Sequence, residues 1–257
     1  MTEIDCVKHL AELDARGEIT RAIEHCEKSP CSENSKCQRY LGWAYANRHE
    51  YEKAAEWYLK AASQGDAEAI DEGWGFVQSV DALGKKTIAM EFSKQVPLSQ
   101  HLNFQRYLAK QYFDEGKIDQ TLHWSLKVAE RGGADDLLYV GDLYLSQGKP
   151  ELALDFLKRA ASAGNVRAHQ LLGEMYGFGI GVTKDSSAAA SYYQESANNG
   201  YLLSQVRLLH LKRQEGGFTS NMAFAAQLPL IMLKGLMIKL RNPSDPRVAD
   251  IPAKPKP

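Results

Sequence analysis

Apolar side chains in the segment 171–200 fall at helical spacing on both sides of a glycine-rich turn. Before the turn, Gly173 and Tyr176 share one helix face with other apolar residues, and the small Gly173 would let a second helix approach closely. After it, Asp185 or Ser186 can cap a second helix whose apolar stripe includes Tyr193. The pattern predicts two antiparallel helices, which cannot bury both apolar faces without neighbouring pairs.

The same pattern returns along the chain at nearly constant intervals. Taking Tyr176 as the reference, equivalent residues lie at intervals of 32, 31, 36, 32 and 32 positions. They are Leu13, Tyr45, Phe76, Tyr112, Tyr144 and Tyr176. A small residue stands three positions before each of the last five, at Gly42, Gly73, Ala109, Gly141 and Gly173. This regularity predicts a helical repeat protein, with a kink or longer loop near Pro97, where the interval is longest.

The best-preserved copy resembles a known repeat. Its Leu-Gly-x-x-Tyr helix, Gly-x-Gly-Val turn, Lys-Asp pair, Ala-x-x-Tyr-Tyr helix and final Gly are similar to the Sel1-like repeat, a relative of the tetratricopeptide repeat. The resemblance implies an all-α, right-handed α-solenoid of about seven antiparallel helix pairs. It also implies an adaptor or scaffold, since such families are seldom enzymes.

The repeats are expected to occupy residues 1–217, followed by an apolar helix at 218–241 and a Pro-rich, extended tail at 242–257. We expect the apolar helix to cap the last repeat. A partner or oligomer surface and a membrane contact through 222–240 are the alternatives. For the surface, the candidate residues are Phe224, Leu230, Leu233 and Met237.

Composition narrows the function classes. The chain is 44% hydrophobic and 25% charged, and its net charge of −1 argues against general nucleic-acid binding. No apolar segment of signal-peptide length opens the sequence, so we expect a cytoplasmic protein. All four cysteines, Cys6, Cys26, Cys31 and Cys37, lie near the start, and we expect reduced thiols. A zinc site using Cys26, Cys31, Cys37 and His25 is the weaker reading, because no Cys-x-x-Cys spacing occurs.

Motifs for catalysis are missing from the sequence. The glycines at 177, 179 and 181 do not follow a predicted strand, which argues against a phosphate-binding loop. Neither a His-Glu-x-x-His nor a Gly-x-Ser-x-Gly element is present. We therefore expect no enzymatic activity, no catalytic residues, no cofactor and no bound metal.

In tetratricopeptide-like solenoids, the first helix of each pair lines a concave groove. By resemblance, the side chains pointing inward form an aromatic and basic surface for an acidic or carboxylate-terminated peptide of another protein. The predicted partner-binding residues are Lys36, Arg39, Trp43, Trp74, Asn103, Arg106, Lys110 and Phe113. The alternative is that both tryptophans only fill space between adjacent helices.

The resulting hypothesis is a non-catalytic adaptor or scaffold that holds a partner segment in the concave groove. We expect a bacterial protein acting in regulation or assembly of an envelope, polysaccharide or secretion system. An immunity or inhibitor protein covering a toxin or enzyme is the alternative, followed by a regulatory subunit of an enzyme.

Overall fold

The computed structural model describes residues 3–28, 30–216 and 218–248, and within these ranges it contains helices and no strand. The chain divides into two compact units, Met1–Arg131 and Gly132–Pro257. The helices of the first unit are α1 (Glu3–Ala15), α2 (Ile19–Cys26), α3 (Ser35–Asn47), α4 (Tyr51–Ser63), α5 (Ala67–Ala82), α6 (Lys86–Lys94), α7 (Leu102–Asp114) and α8 (Ile118–Arg131). Those of the second are α9 (Ala134–Ser146), α10 (Pro150–Ser162), α11 (Val166–Phe178), α12 (Ser186–Asn198), α13 (Leu202–Glu215) and α14 (Phe218–Arg241).

Within each unit, consecutive helices pack as antiparallel pairs, and each pair packs on the next. The fourteen α-helices make seven pairs in the described residues, and the prediction of an all-α solenoid is confirmed. Local sequence sets several boundaries. Asp185 caps α12 by accepting a hydrogen bond from the Ala188 backbone N–H at 2.9 Å, as predicted, and Pro150 opens α10.

The small residues identified in the sequence are points of close contact between the two helices of a pair. A Cβ placed on Gly42 would lie 2.8 Å from the ring of Tyr58, and one on Gly173 would lie 2.6 Å from the ring of Tyr193. Gly141 meets Leu157 in the same way at 2.7 Å. Only glycine leaves room for these large side chains of the second helix, which explains why the position is small.

The irregular segment before the fourth pair lies where the sequence predicts it. Helix α6 ends at Lys94, the Val96–Pro97 peptide bond is cis, and a 3₁₀ turn covers Leu98–Gln100 before α7 begins. Leu98 is fully buried in this connection. The longer interval therefore comes from the longer α5 and from the longer connection between Lys94 and Leu102, which the short α6 only partly offsets.

The prediction of reduced thiols is wrong for two cysteines. Cys6 on α1 and Cys31 in the turn after α2 form a disulfide, because the packing of these elements brings their Cα atoms to 5.5 Å. Cys26 and Cys37 are buried and are not part of the disulfide, and a thiol hydrogen bond with Cys37, together with burial, raises the pKa of Cys26. The predicted cytoplasmic location stays a prediction.

The C-terminal region has two parts. Residues 242–248 fold back on α13, where the Leu202 backbone N–H donates to the Arg247 carbonyl at 3.3 Å and Val248 is buried. The rest of the predicted tail, 249–257, lies outside the described residues. The apolar helix forms as α14 and packs on α13. It does not have the polar outer face that a cap requires, because most of its large apolar side chains are exposed.

Candidate functional site

A cavity of about 820 Å³ in the first unit is bordered by the first helices of three consecutive pairs, α1, α3 and α5. We call it the aromatic pocket. Tyr58 and Phe76, buried and 5.6 Å apart between ring centroids, lie at its base. Trp43 stands at its side with 44% of its surface exposed, next to Tyr40 at 5.4 Å between centroids. The pocket therefore offers an apolar interior with an accessible indole.

The positive charge of Arg39 at the aromatic pocket is balanced by neighbouring carboxylates. Arg39 lies on its wall, yet its guanidinium faces Asp66 at 3.4 Å and Glu72 at 3.3 Å and also pairs with Glu68. Burial alone would lower the pKa of Arg39, but these carboxylates raise it. Burial also raises the pKa of Glu72, which Arg39 partly offsets. Arg39 therefore stabilises the packing of α3 on α5 and does not supply the free basic group that the sequence predicts.

The two predicted tryptophans, Trp43 and Trp74, line different pockets. Trp74 lies outside the aromatic pocket and packs edge-on against Phe104 at 5.6 Å and Tyr107 at 6.2 Å between centroids. It is half-buried and packs between α5 and α7. Trp43 is thus the accessible tryptophan of the predicted pair.

A second cavity, of about 410 Å³, lies on the other side of α5, and we call it the basic pocket. Its wall carries the cationic side chains of Arg106 and Lys110 and the carboxylate of Asp81, which accepts a hydrogen bond from the Tyr107 hydroxyl at 2.8 Å. The lining thus has an excess of positive charge. Trp74 and Asn103 also border it, whereas Phe113, which is 50% exposed, borders neither pocket.

The predicted groove residues therefore divide into two sets. Lys36, Arg39 and Trp43 line the aromatic pocket, and Trp74, Asn103, Arg106 and Lys110 line the basic pocket. Sequence reasoning missed His49, which lines the aromatic pocket with φ of 62°. The sequence does indicate the left-handed conformation of His49, because glycine stands at the matching position of four other turns, at Gly17, Gly84, Gly116 and Gly148.

Cys6, His25 and Cys31 form a second cluster, with candidate ligand atoms within 4.8 Å of one another. His25 Nε2 lies 3.5 Å from Cys31 Sγ and 3.0 Å from the Cys6 carbonyl oxygen. Because both sulfurs are joined in the disulfide, they are not available as thiolate ligands. The four zinc ligands considered from the sequence are also not brought together as one group, since the thiols of Cys26 and Cys37 are hydrogen-bonded to each other.

The predicted second interface lies on α14. Leu230, Leu233 and Met237 are 66%, 53% and 57% exposed. Phe224 instead turns toward α13, with its ring 4.8 Å from that of His210. Three of the four predicted residues thus share an exposed surface, and the fourth holds the helix in place.

Comparisons with known proteins agree with the repeat pattern. Residues 35–66, 129–165 and 166–201 match the family model of the Sel1 repeat, so the chain contains three Sel1 repeats. Such repeats generally mediate contacts between proteins and typically belong to non-catalytic scaffolds. The resemblance predicted from the sequence is confirmed for these segments.

A curated relative and two solved structures are similar to this chain. Uncharacterized protein NMB1327 of Neisseria meningitidis serogroup B is 29% identical over 96 residues, which are 35% of this chain and 20% of the relative, so the match spans about a fifth of its length. A Sel1 repeat protein from Oxalobacter formigenes is 23% identical, with 82% of this chain and 89% of that chain covered and a TM-score of 0.43. The protein c5321, described as a protective antigen present in uropathogenic Escherichia coli strains and displaying an SLR fold, is 22% identical, with coverage of 83% and 50% and a TM-score of 0.46.

Proposed function

We propose that this protein is a non-catalytic adaptor or scaffold that holds an extended segment of a partner protein across the first unit. The segment inserts a large apolar side chain into the aromatic pocket beside Trp43 and places an acidic side chain or terminal carboxylate in the basic pocket. The accessible Trp43 beside an aromatic cavity of about 820 Å³ is the observation that carries this proposal. Exposed tryptophans in concave sites often dominate the binding energy of an interface.

The arrangement of α5 supports one continuous binding path. Gly75 and Ser79 face the aromatic pocket, whereas Gln78 and Ala82 face the basic pocket. The two cavities thus lie on opposite flanks of one helix, and a peptide crossing α5 would reach both. Lys110, which is exposed at the basic pocket, favours a carboxylate there.

We further propose a bacterial setting, with the partner in an envelope, polysaccharide or secretion system. The match to a protein of Neisseria meningitidis supports a bacterial origin. The aromatic pocket supports an adaptor more than an immunity or inhibitor protein, because a cavity suits the insertion of a single anchoring side chain better than the coverage of a broad active-site surface.

Selection of a random peptide library on the full chain tests the binding mode without a known partner. We expect enriched peptides to combine a large apolar residue with an acidic residue or a free carboxyl terminus. Trp43→Ala should weaken them about thirtyfold, the loss typical of a central anchor. Lys110→Glu should weaken the acidic peptides selectively and reduce the salt dependence of their binding.

Matched variants separate pocket loss from general effects. Phe178→Ala removes an aromatic ring that is 56% exposed in the second unit, and Lys28→Glu reverses an exposed charge away from both pockets. Both controls should bind as the unaltered chain does. Peptides that bind Trp43→Ala with unchanged affinity would refute the proposed site.

A further inference from the structure

Helix α14 has two apolar faces, of which one is covered. Phe224, Leu228, Ile231, Gly235 and Ile238 follow each other at spacings of four and three, and all are buried or half-buried. This inner face packs on α13, where Arg213 also lies over the Phe224 ring at 4.6 Å. The helix is therefore anchored along one side.

The outer face of α14 is exposed, and its large side chains are all apolar. They are Met222, Leu230, Met232, Leu233, Leu236, Met237 and Leu240, with exposed fractions from 48% to 75%. At 100° per residue they span about 160° of the helix circumference. They extend over about 27 Å of helix length, at about 1.5 Å per residue. A surface of this kind marks an interaction site.

Charge on α14 has one sign. Its sequence contains Lys234, Lys239 and Arg241 and no Asp or Glu. On a helical wheel, Lys234 and Lys239 fall on opposite flanks, between the inner and outer faces. Basic residues that border a wide apolar face on both sides are typical of helices that lie in the surface of a membrane.

Two other coverings agree less well with this arrangement. A paired helix from a second copy covers a stripe of about 100°, so that much of the wider outer face would stay in water. A membrane-spanning orientation suits the length and composition of Asn221–Arg241. If α14 spanned a membrane, however, its inner face and the attached α13 would also enter the lipid. This is unfavourable because α13 carries the charged side chains of Arg207 and Arg213.

We propose that α14 docks on an anionic lipid bilayer and lies parallel to its surface. The outer face enters the boundary between headgroups and acyl chains, and Lys234 and Lys239 reach the lipid phosphates. The groove of the first unit plays no part in this docking. The protein would thus be held at a membrane whether or not a partner segment is bound.

Flotation of the full chain with vesicles tests the proposal. We expect binding to phosphatidylglycerol vesicles, weaker binding to phosphatidylcholine vesicles, and release from the former by salt or carbonate. Leu233→Asp combined with Leu236→Asp should weaken binding at least tenfold. Lys234→Gln combined with Lys239→Gln should weaken binding to phosphatidylglycerol about thirtyfold, from about fivefold for each lost charge.

A matched control replaces two exposed leucines far along the sequence from α14, Leu83 and Leu152, by Asp. This variant should bind as the unaltered chain does, and circular dichroism should show equal helicity in all variants. Absence of vesicle binding, or binding that survives Leu233→Asp with Leu236→Asp, would overturn the proposal. So would a carbonate-resistant association, which indicates a span, or a dimer in light scattering that this variant dissociates and that does not bind vesicles.

Discussion

Replacement of Gly42 by alanine tests whether close helix contact, and not helix propensity, selects glycine in the repeat. Alanine is favoured over glycine inside a helix by about 1 kcal/mol. The added Cβ, however, would lie 2.8 Å and 2.9 Å from ring atoms of Tyr58, which is only 5% exposed. Overpacking of this kind costs about 1–3 kcal/mol. We therefore expect Gly42→Ala to lower the free energy of unfolding by about 0–2 kcal/mol.

Gly75 provides a matched control in the same unit. It lies inside α5, and a Cβ there would meet no atom within 4 Å. Gly75→Ala should therefore stabilise by about 1 kcal/mol, which places the two variants about 1–3 kcal/mol apart. Urea unfolding followed by circular dichroism measures the free energy of unfolding of each variant. The helix-propensity contribution is common to both and cancels in the difference.

Combining Gly42→Ala with Tyr58→Ala tests whether the Tyr58 ring causes the destabilisation. In a Tyr58→Ala background the ring is gone, so Gly42→Ala should become stabilising, and the cycle should give a coupling energy between the two sites. If Gly42→Ala alone stabilises as much as Gly75→Ala, the steric explanation is refuted.

Two further predictions concern the ends of the chain. Changing Cys6 and Cys31 together to serine opens a loop with a sequence separation of 25 and should lower the free energy of unfolding by about 3–4 kcal/mol in urea melts; a reductant that leaves the unaltered protein's midpoint in place would contradict the disulfide. A hydrogen bond from the Arg247 side chain, assisted by its backbone N–H, lowers the pKa of Asp245 to about 2 from 3.8. The carboxylate therefore stabilises the folded segment above the unfolded pKa and loses this effect as pH falls through the folded one. Protection of the Leu202 amide from hydrogen exchange should fall over that range, and Asp245→Asn should remove this pH dependence.

Helix pairing and its contact points could be predicted from sequence because they depend on local spacing. Gly173 and Tyr176 stand on one helix and Tyr193 on the next, within a single repeat. Because the pattern repeats about every 32 residues, the contact predicted for one helix pair can be predicted for the other pairs as well.

Contacts between repeats could not be predicted in this way. The carboxylates that neutralise Arg39 come from the following pair, where Asp66 also caps α5 through the Ala69 N–H. The sequence pattern of a single helix predicts that Arg39 is an inward-pointing basic residue, but it does not indicate which carboxylates of the next helix pair with it. The Cys6–Cys31 disulfide likewise depends on how α1 meets the turn after α2.

The contact between a glycine and a large side chain bears on how such a chain can change in length. Gly42 and Tyr58 belong to α3 and α4, and Gly141 and Leu157 to α9 and α10, so each contact is completed inside one helix pair. A gene duplication or deletion with both ends in the linkers between pairs would therefore carry every such contact along intact. One that cuts between the two helices of a pair would separate a glycine from the side chain it accommodates, so recombination should be tolerated in steps of whole pairs.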